Sequence, residues 1–254
     1  MGDYEATYLE LSKTAWKEFQ AGNQTEAFAL WLSLHGKHRI RGVYLVEAEA
    51  YLKVGEYRKA SATYAEVRKL APPSLPVTEV GVALWLAGEH YLACADWLAE
   101  IHRNQRKEFT HMDAAGGVNA PMLLWWASHF NELAAFRAEA VAELIRLRSQ
   151  QALVRRGWPG PIADHILGRI SSVQLRIAAT SHNAQLESTR RCRSEFYESI
   201  KYFLNGDSDN YIRCLMSVIE NSLNLKEDEA RLARYEIDRV ALADGTLDLS
   251  NPRS

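Results

Sequence analysis

Apolar positions along this chain return every three to four residues, the spacing of one face of a helix. Between residues 131 and 150 the stripe is Leu133, Phe136, Val141, Leu144 and Leu147, while Glu139, Glu143, Arg146 and Arg148 fall elsewhere on the wheel, which predicts one amphipathic helix. Residues 122–130 read the same way, and 227–240 predict a closing helix with a more charged outer face. All seven prolines stand outside these runs: Pro72, Pro73 and Pro76 separate two of them, Pro121, Pro159 and Pro161 precede others, and Pro252 is in the tail. No predicted helix is therefore interrupted.

Superimposed on the helical spacing is a longer period. Gly22, Gly55 and Gly88 are each 33 residues apart; five residues after each comes an alanine (Ala27, Ala60, Ala93), and four after that a large aromatic (Trp31, Tyr64, Trp97). Three features in register are the mark of a repeat. Glycine supplies the left-handed residue that ends a first helix, alanine leaves room where two backbones approach, and the aromatic fills the gap to the next unit. Each unit is thus predicted to be a helical hairpin. The middle unit, with Tyr44, Ala48, Tyr51, Ala60, Tyr64 and Pro72, resembles the tetratricopeptide repeat, and departs from it at Glu47, where that pattern has leucine. Glu18 and Leu84 stand where the first and third units would carry the first-helix aromatic.

The resemblance implies an all-α fold, an α-solenoid of tetratricopeptide-like hairpins wound as a right-handed superhelix. We read residues 1–254 as one such domain: regular hairpins over about 8–101, a polar loop over 102–120, degenerate hairpins over 121–190, a last hairpin with a capping helix over 191–243, and a tail over 244–254. Ser171 or Ser172 can cap a helix after the break at Trp158-Pro159-Gly160-Pro161. The last hairpin centres on Gly206-Asp207, with Leu215 in the aromatic position and Tyr211 in place of the small alanine. The runs Ile162 to Ser171, Glu195-Phe196-Tyr197, Tyr202 to Asp207 and Glu229 to Glu236 make the last third similar to bacterial tetratricopeptide lipoproteins, envelope adaptors that present clients to proteases and peptidoglycan hydrolases. The lipidated cysteine of those proteins is not in this sequence.

Composition agrees with helix: Ala and Leu together outnumber Val, Ile and Thr. A net charge of −2, with 24% charged residues, gives no polyelectrolyte character, and nucleic acid is not expected as a partner. Arg155-Arg156 and Arg190-Arg191 with Arg193 are read as solvated faces. Cys94, Cys192 and Cys214 have no paired spacing and are expected to be buried thiols. No stretch reaches 18 apolar residues, so no membrane span is expected. As written, from Met1, the chain implies the cytoplasm; an export signal removed from its start would instead imply the periplasm.

Candidate chemistry is sparse. The sequence has no H-E-x-x-H, G-x-S-x-G or Walker A motif, and Gly116-Gly117 lacks the Lys-Ser/Thr of a phosphate loop. Glu47 and Glu49, two apart, face different sides of a helix and do not make a carboxylate pair. His35 and His38 are read as surface histidines. The expectation is a protein that is not an enzyme, needs no cofactor and holds no metal. The alternative is an enzyme, or a small-ligand or metal sensor, using the region 102–130 with His102, His111, Asp113 and His129.

Tetratricopeptide proteins line a concave groove with the first helices of successive hairpins. The resemblance therefore places Trp16, Phe19, Gln20, Leu45, Glu49, Leu52, Lys53, Val82 and Trp85 in such a groove, joined by Phe196, Ile200 and Phe203 from the last unit. An aromatic and apolar groove fits an amphipathic helix or an extended hydrophobic segment. The expected function is a protein-interaction scaffold, either an adaptor or an immunity protein that neutralises a toxin. Its expected partner is another protein, a client enzyme, a toxin or an effector, with a second copy of this chain also admitted.

Overall fold

A computed structural model describes residues 3–35, 40–70, 77–105, 117–150, 158–222 and 227–243. Among these every regular element is helical, with no strand, as the all-α expectation requires. No helix among them is long and apolar enough to cross a membrane. The chain divides into two compact units, Met1–Asp113 and Ala114–Ser254, a division that falls within the polar stretch 102–120. Pro72, Pro73 and Pro76, His111, Asp113, His38, Arg155, Arg156 and the tail lie outside the described residues.

The first unit contains three hairpins: α1 (Asp3–Gln20) with α2 (Gln24–His35), α3 (Arg41–Lys53) with α4 (Tyr57–Leu70), and α5 (Glu79–Leu86) with α6 (His90–Gln105). Each helix packs on the next, and α1 also touches α3. The three repeat glycines do the same work at each turn. Gly22, Gly55 and Gly88 have φ of 93°, 77° and 78°, a region only glycine enters freely. The residue after each glycine donates its N–H to the carbonyl five back: Asn23 to Glu18, Glu56 to Tyr51 and Glu89 to Leu84, each at 2.9 Å. This is the bond that closes a Schellman motif and satisfies the orphan carbonyls of the first helix.

The other two repeat features build the core. Ala27, Ala60 and Ala93 are fully buried, as are Trp31, Tyr64 and Trp97. Burying each such aromatic ring supplies about 2 kcal/mol or more of hydrophobic stabilisation. Their polar ends are satisfied within the same hairpin, by the first helix or the residue just before it. Trp31 Nε1 donates to Ser12 Oγ at 3.1 Å, Trp97 Nε1 to the Thr78 carbonyl at 3.1 Å, and the Tyr64 hydroxyl to Glu49 Oε1 at 2.7 Å. The structure adds a fourth feature to the period: Ala15, Ala48 and Gly81, again 33 apart, are buried on the first helices. At Gly81 the indole of Trp97 lies so close that a Cβ would overlap it.

A charged clamp joins the second and third hairpins. Arg68 of α4 grips Asp96 of α6 through two bonds of 2.6 and 2.8 Å and donates a third, of 2.7 Å, to the Val77 carbonyl. Buried Glu100 accepts from Arg103 at 2.6 and 3.0 Å and from the Val77 N–H at 3.3 Å. Arg58 and Glu89 form a further ion pair between α4 and the turn before α6.

The second unit runs α7 (Asn119–Ala127), a 3-10 turn (Asn131–Phe136), α8 (Arg137–Gln150), α9 (Gly160–Ile166), α10 (Ser172–Ala179), α11 (Ala184–Leu204), α12 (Ser208–Asn221) and α13 (Asp228–Ala243). The single helix expected over 131–150 is therefore split, its first turn tightened to 3-10 where Arg137 reaches back to the Ser128 carbonyl at 2.7 Å. Its polar side is also not all solvent-facing. Glu143 is buried against Arg146, and Arg148 is buried in a bidentate pair with Asp164 of α9 at 3.0 and 2.5 Å.

Ser171 caps α10 in a reciprocal capping box with Gln174. Gly206 repeats the Schellman turn of the first unit, with φ of 69° and an Asp207 N–H to Tyr202 carbonyl bond of 3.0 Å. Tyr211 and Leu215 are both buried behind it, and the Tyr211 ring lies 5.4 Å from that of Phe203. α7, α11 and α13 meet around Arg193, which bonds Glu229 at 2.8 Å and Asn119 at 2.6 Å. Breaking a buried pair of this kind costs about 3–5 kcal/mol, because the remaining charge is left without water.

Candidate functional site

Where a partner could touch the chain depends on which groove residues keep surface. Val82 and Trp85 do not: α5 is apolar on all sides, and Val80, Gly81, Val82, Ala83, Trp85 and Leu86 are all buried. Trp85 stacks on Trp97 at 6.1 Å and meets the tilted ring of His90 at 4.3 Å. Phe196 and Ile200 are buried in the second unit, Phe196 lying 4.9 Å from Trp126 of α7. Leu52 is buried as well. These five residues are core of their own units, so the groove expected from the resemblance is corrected to a smaller set. Phe203 is half-buried, 4.9 Å from Phe130.

What remains is a strip across α1 and α3. Trp16 and Phe19, one turn apart on α1, are half-buried and stack at 5.4 Å with 16° between their planes. Exposed Lys53, from the end of α3, holds its ammonium 5.1 Å from the centroid of Trp16. Behind them the stack continues inward: Phe19 meets Phe28 edge-on at 6.0 Å, and Phe28 stacks on Tyr51 at 4.4 Å. Leu45 and Glu49 are half-buried on α3, Gln20 is exposed at the end of α1, and Glu49 is held by the Tyr64 hydroxyl. The rings are thus held in place by core packing while each stays half-buried, the preorganisation a contact surface requires.

Electrostatics beneath the strip are unusual in one respect. Glu47 is 3% exposed on the core side of α3, where burial pushes its carboxyl up to about 7 against the opposing effect of a hydrogen bond from Tyr51. Burial, with the Glu47 charge beside it, raises the Tyr51 hydroxyl to about 12. Glu47 and Glu49 face opposite sides of α3, as their spacing requires, and do not form a pair.

The other candidate chemistry is scattered. His102 is exposed at the end of α6, while His111 and Asp113 lie outside the described residues. His129 packs edge-on against Trp125 at 4.6 Å, and burial together with the Arg137 charge lowers it to about 4. No group of three metal-ligating side chains occurs among the described residues. Cys94 and Cys192 are buried, whereas Cys214 is only half-buried and donates to the Glu195 carbonyl at 3.3 Å. Burial raises the thiols of Cys94 and Cys214 to about 12, far from the thiolate a nucleophile needs. Of the arginines read as solvated, Arg193 is instead largely withdrawn from solvent in its pair with Glu229, Arg191 pairs with Glu187 at 2.6 Å, and Arg190 donates to the Thr180 carbonyl. An open pocket in the second unit is lined by Arg148, Ser149, Asp164 and Arg169.

No protein-family model matches the chain, and no curated protein matches it in sequence.

Proposed function

We propose that this protein is a scaffold of tetratricopeptide-like hairpins that holds a partner protein on the strip formed by Trp16, Phe19 and Lys53, with Leu45, Glu49 and Gln20 at its margin. One observation carries the reading. Two stacked rings on α1 stay only half-buried, and a lysine from the next hairpin lies over one of them. Aromatic rings with a cation over one of them suit an apolar or amphipathic segment of another protein, and tryptophan is among the residues that dominate the energetics of protein interfaces. On this reading the chain performs no chemistry itself. The partner is a client that it delivers or a toxin that it blocks, and the identity of the captured protein separates the two.

The test is affinity capture from cells that make the protein, with bound proteins identified by mass spectrometry. A specific partner is retained by the unaltered chain and by Leu32→Ala, which changes an exposed side chain elsewhere on the first unit. It is lost with Trp16→Ala and with Lys53→Glu, while circular dichroism stays unchanged. Equal capture by all four proteins overturns the proposal.

A further inference from the structure

The second unit carries an exposed apolar face that is independent of the strip on α1 and α3. α10 packs on α9 and α11 through Leu175 and Ala179, both buried. Its opposite side presents Val173 and Ile177, one turn apart and 58% and 65% exposed, followed in the first turn of α11 by Leu186 at 50%. Branched apolar side chains this open are costly to hydrate, at about 25 cal/mol for each Å² left in water.

The more exposed charges around this face are basic, Arg169 and Arg176 being 43% and 58% exposed against 20% for Asp164 and 4% for Glu198. Residues 165–193 contain five arginines, Arg169, Arg176, Arg190, Arg191 and Arg193, and a single acid, Glu187, for a net charge of +4 in a chain whose total is −2. Arg193 is spent in the core and Arg191 on Glu187. Arg176, on the outer side of α10 beside Ile177, is 58% exposed, and its nearest acid, buried Glu198, is 3.8 Å away. Arg169 precedes α10 and, among the described residues, pairs only with Asp164, at 3.5 Å, a carboxylate already held by Arg148. Arg190 lies over the Trp158 ring and bonds the Thr180 carbonyl, so its charge is not neutralised by either contact.

We propose that the outer face of α10 with the start of α11, Val173, Ile177 and Leu186 bordered by Arg169 and Arg176, docks an acidic amphipathic helix of a partner protein. The branched side chains would take the apolar stripe of that helix, and the arginines its flanking carboxylates, to which the guanidinium fork is matched in geometry. A surface of three aliphatic residues without aromatic anchors suits a helix stripe better than a lipid interface, where tryptophan and tyrosine are the favoured residues.

The test uses the full chain and two labelled 18-residue helical peptides that share a leucine stripe, one flanked by glutamates and the other by lysines, with binding read by fluorescence anisotropy. The glutamate peptide binds more tightly than the lysine peptide by about tenfold or more, and Arg176→Glu and the double variant Val173→Ser/Ile177→Ser each remove about that factor. Trp16→Ala leaves this binding unchanged, which separates it from the strip. The three α10 substitutions are at exposed positions, and circular dichroism confirms that the helices persist in every variant. Equal binding of both peptides, no binding of the glutamate peptide, insensitivity to the α10 variants, or loss of binding with Trp16→Ala overturns the proposal. So does co-sedimentation with phosphatidylserine vesicles that the double variant abolishes, which would assign the face to a membrane.

Discussion

The ammonium of Lys53 lies 5.1 Å from the centroid of the Trp16 ring, and so ties the end of α3 to the outer face of α1. A cation over a half-buried indole near the surface contributes about 0.5–1 kcal/mol. Lys53→Ala is therefore expected to lower the stability of the first unit by no more than about 1 kcal/mol in urea denaturation. A larger loss would mean that Lys53 is part of the unit's structural framework rather than a feature of its surface.

Gly81 is the third residue of α5, and within a helix alanine would ordinarily be favoured over glycine by up to about 1 kcal/mol. The Trp97 indole takes the space that a Cβ would need, and Trp97 is itself fully buried and bonded to Thr78. Gly81→Ala is expected to destabilise the protein by about 1–3 kcal/mol, against helix propensity, because the ring must shift within a filled core. Chemical denaturation of the variant measures the sign directly.

Glu47 gives the stability a distinctive pH dependence. Its folded-state value of about 7 lies above the ordinary 4.5, so the folded chain binds the proton more tightly than the unfolded one. The carboxyl's contribution is fully present below pH 4.5 and is lost as pH rises from there through 7. Glu47→Gln keeps an oxygen able to accept from Tyr51 and carries no charge. It is expected to match the parent near pH 4 and to exceed it by about 2 kcal/mol at pH 8, as thermal melts across that range would show.

His129 acts in the opposite sense. Its folded value of about 4 lies below the ordinary 6.5, so the unfolded chain gains the proton first as pH falls, and stability is lost between pH 6.5 and 4. For a half-buried ring the loss by pH 5 is about 1 kcal/mol after allowance for solvent screening. His129→Phe should remove that part of the acid sensitivity while keeping the contact with Trp125, which melts at pH 7.5 and pH 5 can measure.

The first unit was legible in the sequence because its determinants are local and periodic. A glycine that must be left-handed, an alanine that must be small and a large aromatic recur at 33 residues, and in the structure the three glycines have positive φ and the other six residues are buried. Ala15, Ala48 and Gly81 carry the same period, and this signal could have been read beside the other three. The groove was less legible. In α5, where every side is apolar, periodicity gives no direction, and Val82 and Trp85 turn out to be core. The buried charges were hidden for a different reason: Arg148 meets Asp164 across 16 residues and Arg193 meets Glu229 across 36, and a helical wheel carries no information about such partners. The exposed α10 face has a sequence signal of its own, the run of arginines from 165 to 193, which composition averaged over the whole chain conceals.

The strip on α1 and α3 is tested most directly by the indole N–H signals of the seven tryptophans in a ¹H–¹⁵N spectrum, recorded as the captured partner is added. Trp16 is half-buried at the strip, whereas Trp31, Trp85 and Trp97 are sealed in the core of the same unit. A partner seated on the strip shifts or broadens the Trp16 signal and leaves those three in place. An unmoved Trp16 signal under saturating partner would contradict the account.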